Sequence, residues 1–210
     1  MKSFFAVKCS CGHEQTLETM STDPFKDTTC EKCGSALIIV DDGFASWRIY
    51  NKALQFLRSN DYTLSTILGA VAVESELGRI YIKWRSIDTG LPCEITDADR
   101  EKFEDELRKY FKIVDRLEMV SEYLTTLKFN EFIRSDASLG AFVARAHPDA
   151  APNPSLKKFF EEQLFWKRNA IAHAGKIDST KADAEKCFNV TNTLFKILAA
   201  MDAAKLKTIV

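Results

Sequence analysis

The chain reads as a mainly α protein, an up-and-down helical bundle of five or six helices preceded by a small cysteine-bearing β segment. Three observations lead there. Long stretches after residue 43 carry apolar residues at three- and four-residue steps, the period of a helix with one buried face. Four of the six cysteines cluster within residues 9–33, apart from that pattern. At 210 residues and 46% apolar content, one domain can bury a sizeable core and leave room for an appendage. The division falls at residues 1–41 and 42–210, with Asp41-Asp42-Gly43 as the hinge.

In the first segment, Cys9-x-Cys11-Gly12 and Cys30-x-x-Cys33-Gly34 form two knuckles, each with a glycine after its second cysteine that lets backbone amides approach the thiolates. Four thiolates suit tetrahedral Zn²⁺, so Cys9, Cys11, Cys30 and Cys33 are the expected ligands. His13 is an alternative ligand, and reduced thiols or two disulfides are the readings without metal. Phe4–Val7, Gln15–Thr19 and Ala36–Val40 read as short strands. The segment resembles a zinc ribbon in which a CxC knuckle replaces one CxxC. About 40 residues have too little core to fold without a staple, which implies a structural zinc. Lys2, Lys8, Lys26 and Lys32 are few and interleaved with acidic residues, so a protein contact suits the ribbon better than a nucleic-acid one.

The helices follow in order. Phe44, Trp47, Tyr50, Leu54 and Leu57 mark the first, stopped near Ser59-Asn60-Asp61. The second runs from about Thr63 to Arg85, with Leu64, Ile67, Leu68, Val71, Leu77, Tyr81 and Ile82 as its buried stripe. Glu74 falls within that stripe, where a carboxylate is costly unless paired. Either it sits at a bundle end, or it pairs with Arg168 or orients His173. Glu76 falls off the stripe and reads as a solvated charge. Thr96 and Asp99 begin a long helix in the manner of a capping box, and Phe103, Leu107, Tyr110, Val114, Leu117 and Leu124 carry it to about Leu127. Phe129–Arg145 is a shorter piece with a break expected at Gly140, and His147 before Pro148 reads as an exposed loop residue. The last helix is capped among Asp178, Ser179 and Thr180 and buries Phe188, Thr191, Leu194, Phe195, Leu198 and Met201. Cys93 and Cys187 read as ordinary thiols.

Between these lies the stretch that bears on function, Trp166-Lys167-Arg168-Asn169-Ala170-Ile171-Ala172-His173-Ala174-Gly175. Asn153 and Pro154 suit a helix start, and Gly175 suits a left-handed C-cap, so one helix should span about Pro154 to Ala174. Its apolar side is Leu156, Phe159, Phe160, Leu164, Phe165, Ala170 and Ile171. Asn169 and His173 are four apart and share a face, and Arg168 lies one step round. Imidazole moves a proton near neutral pH and guanidinium grips a phosphate in bidentate fashion, so the set suits phosphodiester chemistry.

Arg168-Asn169-x-x-x-His173 resembles the Arg-x(4–6)-His signature of the HEPN superfamily, all-α bundles that include many metal-independent endoribonucleases. Asn after the Arg and placement at a helix end also fit, and the resemblance covers roughly residues 44 to 206. It implies RNA as substrate, His173 as general base or acid toward the ribose 2′-OH, Arg168 on the pentacoordinate phosphate and Asn169 holding the geometry. It further implies an acidic or polar residue on an early helix near the motif, the place of Glu74. A homodimer with two motifs facing one cleft, and toxin–antitoxin or phage-defence settings, also follow from it. Non-catalytic nucleotide binders and interaction modules belong to the same superfamily, and there Arg168 and His173 would bind an anion or tie helix ends together. A His at a helix C-terminus is favoured by the helix dipole without any further role.

Charge sets limits on this reading. Lys and Arg number 29 against 30 Asp and Glu, for a net charge of −1, so no global field draws nucleic acid. Lys167 and Lys176 flank the motif without a wider basic field. No apolar run approaches a membrane span and no leader-like run opens the chain. The cysteines are spaced for metal rather than for disulfides, so a reducing cytoplasm is the expected compartment.

Overall fold

The computed structural model describes residues 2–8, 14–20, 32, 45–90, 96–150, 156–174 and 179–208, with the two strands and residues 173 and 174 described by their backbone. Strands β1 (Lys2–Lys8) and β2 (Glu14–Met20) pair antiparallel, in a register that sets Lys8 opposite Glu14 and Lys2 opposite Met20. The expected strand at 36–40, the two cysteine pairs and His13 lie outside the described residues.

The rest is mainly helical. Helix α1 (Ala45–Arg58) turns at Asn60, whose φ of 65° is the left-handed conformation asparagine tolerates, into α2 (Tyr62–Asp88). Asp61 caps α2 by accepting from the Leu64 amide at 3.1 Å. Helix α3 (Asp97–Arg108) opens on the expected cap, with Thr96 Oγ1 accepting from the Asp99 amide at 3.2 Å. Then come α4 (Ile113–Thr125), α5 (Phe129–Ser135), α6 (Ala137–Ala146) and a single 3₁₀ turn at Pro148–Ala150. The motif element follows as α7 (Leu156–Phe160), a π turn (Glu161–Phe165) and α8 (Trp166–Ala174). Helix α9 (Lys181–Leu206) closes the bundle, capped by Thr180.

Two expected helices are broken where the sequence reading carried them through. The long helix to Leu127 stops after Arg108 and restarts at Ile113, and the corner leaves Tyr110 41% and Phe111 95% exposed. Tyr110 therefore lies outside the stripe assigned to it. The next piece breaks at Asp136, ahead of Gly140, because the Asp136 carboxylate caps α6 through the Leu139 amide at 3.0 Å. The described residues thus hold more and shorter helices than five or six.

Helices α2 and α9 form the spine. Thr191 packs on Gly69, Asp202 bonds Lys83 and Trp84, and Lys205 pairs with Asp88 at 3.0 Å. Numbering rises together along both helices, so they run side by side and parallel, a pairing the up-and-down expectation did not include. Close approach is possible because α2 buries small residues, Ser65, Thr66, Gly69, Ala70 and Ala72. Helix α1 lies antiparallel to α2, and its Trp47 and Tyr50 pack on Phe188 and Phe195 of α9. The six apolar-side residues expected of α9 are all buried.

The buried face of α2 also differs from the expected stripe. Leu64 is exposed, and Glu76, read as a solvated charge, is 4% exposed. Its carboxylate accepts from Ser46 Oγ at 2.7 Å and from Arg79 Nε and Nη2 at 2.8 and 2.6 Å. A carboxylate with this many charge-assisted donors can be buried where an unpaired one cannot. His147 is a second correction. It is 5% exposed, with Nε2 at 2.8 Å from Thr193 Oγ1 and its ring against Phe159 and Phe160. Burial, then the nearby Lys186, push its imidazole below the ordinary value of 6.5.

Candidate functional site

The motif helix is irregular at its centre. Within the π turn the Trp166 amide donates to the Glu161 carbonyl, five residues back, and the Cys187 thiol of α9 donates to the Gln163 carbonyl at 3.1 Å. A π turn fits about one more residue into the helix than α geometry does, so everything after it is rotated relative to what precedes it. Leu164 and Phe165 keep the buried side, while Trp166, Asn169 and Ala170 face solvent. Ala170, expected on the apolar side, is corrected by that rotation.

The same rotation turns Arg168 toward α2, where its Nη2 donates to Glu74 Oε1 in an ion pair. The two side chains are 24% and 27% exposed, so the pair sits at the bundle's edge. Glu74 thus lies at the bundle's edge and also meets Arg168. The guanidinium is not fully satisfied. Arg168 Nε is shielded from solvent and has no hydrogen-bond partner among the described residues. An unmade bond to such a group costs about 1–3 kcal/mol.

Asn169 is exposed, and position 173 follows one turn later on α8. The His173 side chain and Gly175 lie outside the described residues. Lys167 is engaged in an ion pair with Asp183 in the first turn of α9, and that bond, with one from Thr180, holds the Asp183 carboxyl below its usual range. Past the motif, Ser179 rests against the start of α2, its Oγ 3.1 Å from Thr66 Oγ1 and its amide donating to Thr63 Oγ1 at 3.4 Å. Helix α8 is thereby fastened at α2 by Arg168 and at α9 by Lys167.

Other candidate groups can be placed against this site. Cys187 is buried and its thiol is pushed up to about 11, so it is a packing residue and a poor nucleophile. Cys93 lies outside the described residues, as do Cys9, Cys11, Cys30 and Cys33. Among the described residues no group of three or more His, Cys, Asp or Glu side chains is arranged to hold a metal, and no helix is long and apolar enough to cross a membrane. The exposed Trp166 was not singled out by sequence reasoning. Spacing gave no signal of it, because a residue seven after Phe159 falls on the buried side of a regular helix.

No family model matches the chain, and neither a curated protein nor a solved structure does.

Proposed function

We propose that this chain is a HEPN-like, metal-independent endoribonuclease. What carries the reading is the Arg168–Glu74 pair, which fixes the guanidinium of the Arg-Asn-x-x-x-His motif on a helical bundle beside the solvent-facing Asn169. His173 takes the proton from the ribose 2′-OH or delivers one to the leaving 5′-oxygen. Arg168 stabilises the charge on the pentacoordinate phosphate, aimed there by Glu74, and Asn169 holds the substrate's orientation. The 2′-oxygen attacks the adjacent phosphorus, the bond to the 5′-oxygen breaks, and a 2′,3′-cyclic phosphate remains. Two copies presenting their motifs to one cleft, in the cytoplasm, complete the proposal, with toxin–antitoxin or phage defence as settings.

The N-terminal segment is proposed as a zinc ribbon. Cys9 and Cys11 fall in sequence between the two paired strands, and a CxC pair so spaced would suit one half of a Cys₄ site. Cys30 and Cys33 supply the other half. The ion would tie the segment together, and the chemistry at Arg168 does not call on it. A protein partner is the proposed contact for this segment.

One observation favours a second reading. The Arg168 charge is already met by Glu74, and Lys167 by Asp183, which suits a non-catalytic interaction module in which these residues tie helices together. Incubating the purified protein with a structured RNA in EDTA separates the two. Fragments ending in 2′,3′-cyclic phosphate support the nuclease, and intact RNA supports the module.

A further inference from the structure

In an uninterrupted α-helix residue 166 lies within roughly 20° of Phe159 and shares its buried side. The π turn at Glu161–Phe165 rotates the following stretch by about 100° and carries the indole outward. Trp166 is 56% exposed, whereas Trp84 is 1% exposed and Trp47 is half-buried. The helix thus leaves in water a large side chain that regular α geometry would have set on the side of Phe159, two residues before Arg168.

Trp166, Asn169 and position 173 stand at intervals of three and four residues, on one face of α8. Arg168 flanks that face, anchored to Glu74. Lys167 is held by Asp183, so attraction for a polyanion at this face is weak and a contact there needs another source of affinity. An exposed indole supplies one, because every nucleobase has a π face that stacks on it.

We propose that Trp166 is the stacking platform for an unpaired base next to the phosphate gripped at Arg168, which makes single-stranded or loop RNA the substrate class. The proposal rests on the nuclease reading above. Bases within a duplex are already stacked and are not available to the indole, whereas splayed bases of loops are. Stacking of this kind is tolerant of sequence, and binding through it depends little on salt.

The test uses the full chain and a 2′-O-methylated single-stranded RNA, which has no free 2′-OH to attack. Binding is expected to quench tryptophan emission in the wild type and not in Trp166→Phe. Trp166→Leu should weaken binding about 5- to 150-fold, with Trp166→Phe in between, since loss of a stacking aromatic has effects of that size. Equal affinity of wild type and Trp166→Leu overturns the proposal and leaves the nuclease reading standing. Absence of both binding and cleavage in the wild type overturns the two together. A Trp166→Leu variant that binds RNA normally but changes from dimer to monomer in light scattering assigns the indole to a subunit contact and also overturns the proposal.

Discussion

Glu76 offers the sharpest stability prediction. Replacing it with alanine removes the carboxylate that meets both Arg79 nitrogens and the Ser46 hydroxyl. Breaking a buried ion pair from one side costs about 3–5 kcal/mol. Arg79 is 25% exposed and can regain some water, which places this case at the lower end, about 3 kcal/mol. For a bundle of this size each kcal/mol moves Tm by about 2–4 °C, so thermal unfolding should shift down by about 6–12 °C. Glu76→Gln keeps the shape and an acceptor for Ser46, and should lose roughly half as much. The assay is thermal unfolding followed by helical circular dichroism. A fall below about 2 °C for Glu76→Ala would show that the carboxylate is not the buried hub described here.

Four further outcomes can be measured. A Cβ added at Gly69 would stand 2.8 Å from Thr191 Oγ1, so Gly69→Ala should destabilise by about 1–3 kcal/mol, and Thr191→Ala in the same chain should recover most of it. Gly78→Ala meets nothing within 4 Å and should stabilise by about 0.5–1 kcal/mol; urea midpoints rank all of these variants. For His147, whose folded pKa is lowered by burial, the unfolded chain takes up a proton as pH falls below about 6.5 while the folded chain does not. Its contribution is therefore full above that value and is lost on acidification toward the folded pKa, so His147→Gln should flatten the urea midpoint against pH over that interval; identical slopes would refute the point. For the N-terminal segment, mercurial titration of thiols should release one zinc per chain, and Cys30→Ser should abolish it without loss of helical signal.

Much of the bundle was legible because caps and large apolar residues leave local marks. Thr96 caps α3 as its spacing suggests, Thr180 is one of the three residues offered as the cap of α9, and α9 carries one regular stripe. The buried face of α2 was not legible for a physical reason. A helix packed tightly against a parallel partner is chosen for small side chains, and Ser65, Gly69 and Ala70 carry no hydrophobic signal. Counting large residues instead brought Leu64 inward and put Glu76 outside. The corner at Lys109–Lys112 contains neither glycine nor proline, so Tyr110 and Phe111 prolonged a pattern the chain abandons. Pro148 suggested an exposed turn at His147, yet Thr193 and two phenylalanines from distant elements enclose it. At the candidate site, the pairing of Arg168 with Glu74 was one of the alternatives the stripe allowed. The π turn was not legible, since nothing in Glu161-Glu162-Gln163-Leu164-Phe165 distinguishes it from α-helix. That single irregularity decides which of Arg168, Ala170 and Trp166 faces the bundle.

Cleavage of a loop-containing RNA in EDTA, compared between the wild type and His173→Ala, bears most directly on the proposed chemistry. The wild type should yield cyclic-phosphate ends, and the variant should be slower by about 100-fold or more with an unchanged Tm. Equal cleavage by both proteins, or none by either, would contradict the assignment of Arg168, Asn169 and His173 to phosphodiester scission.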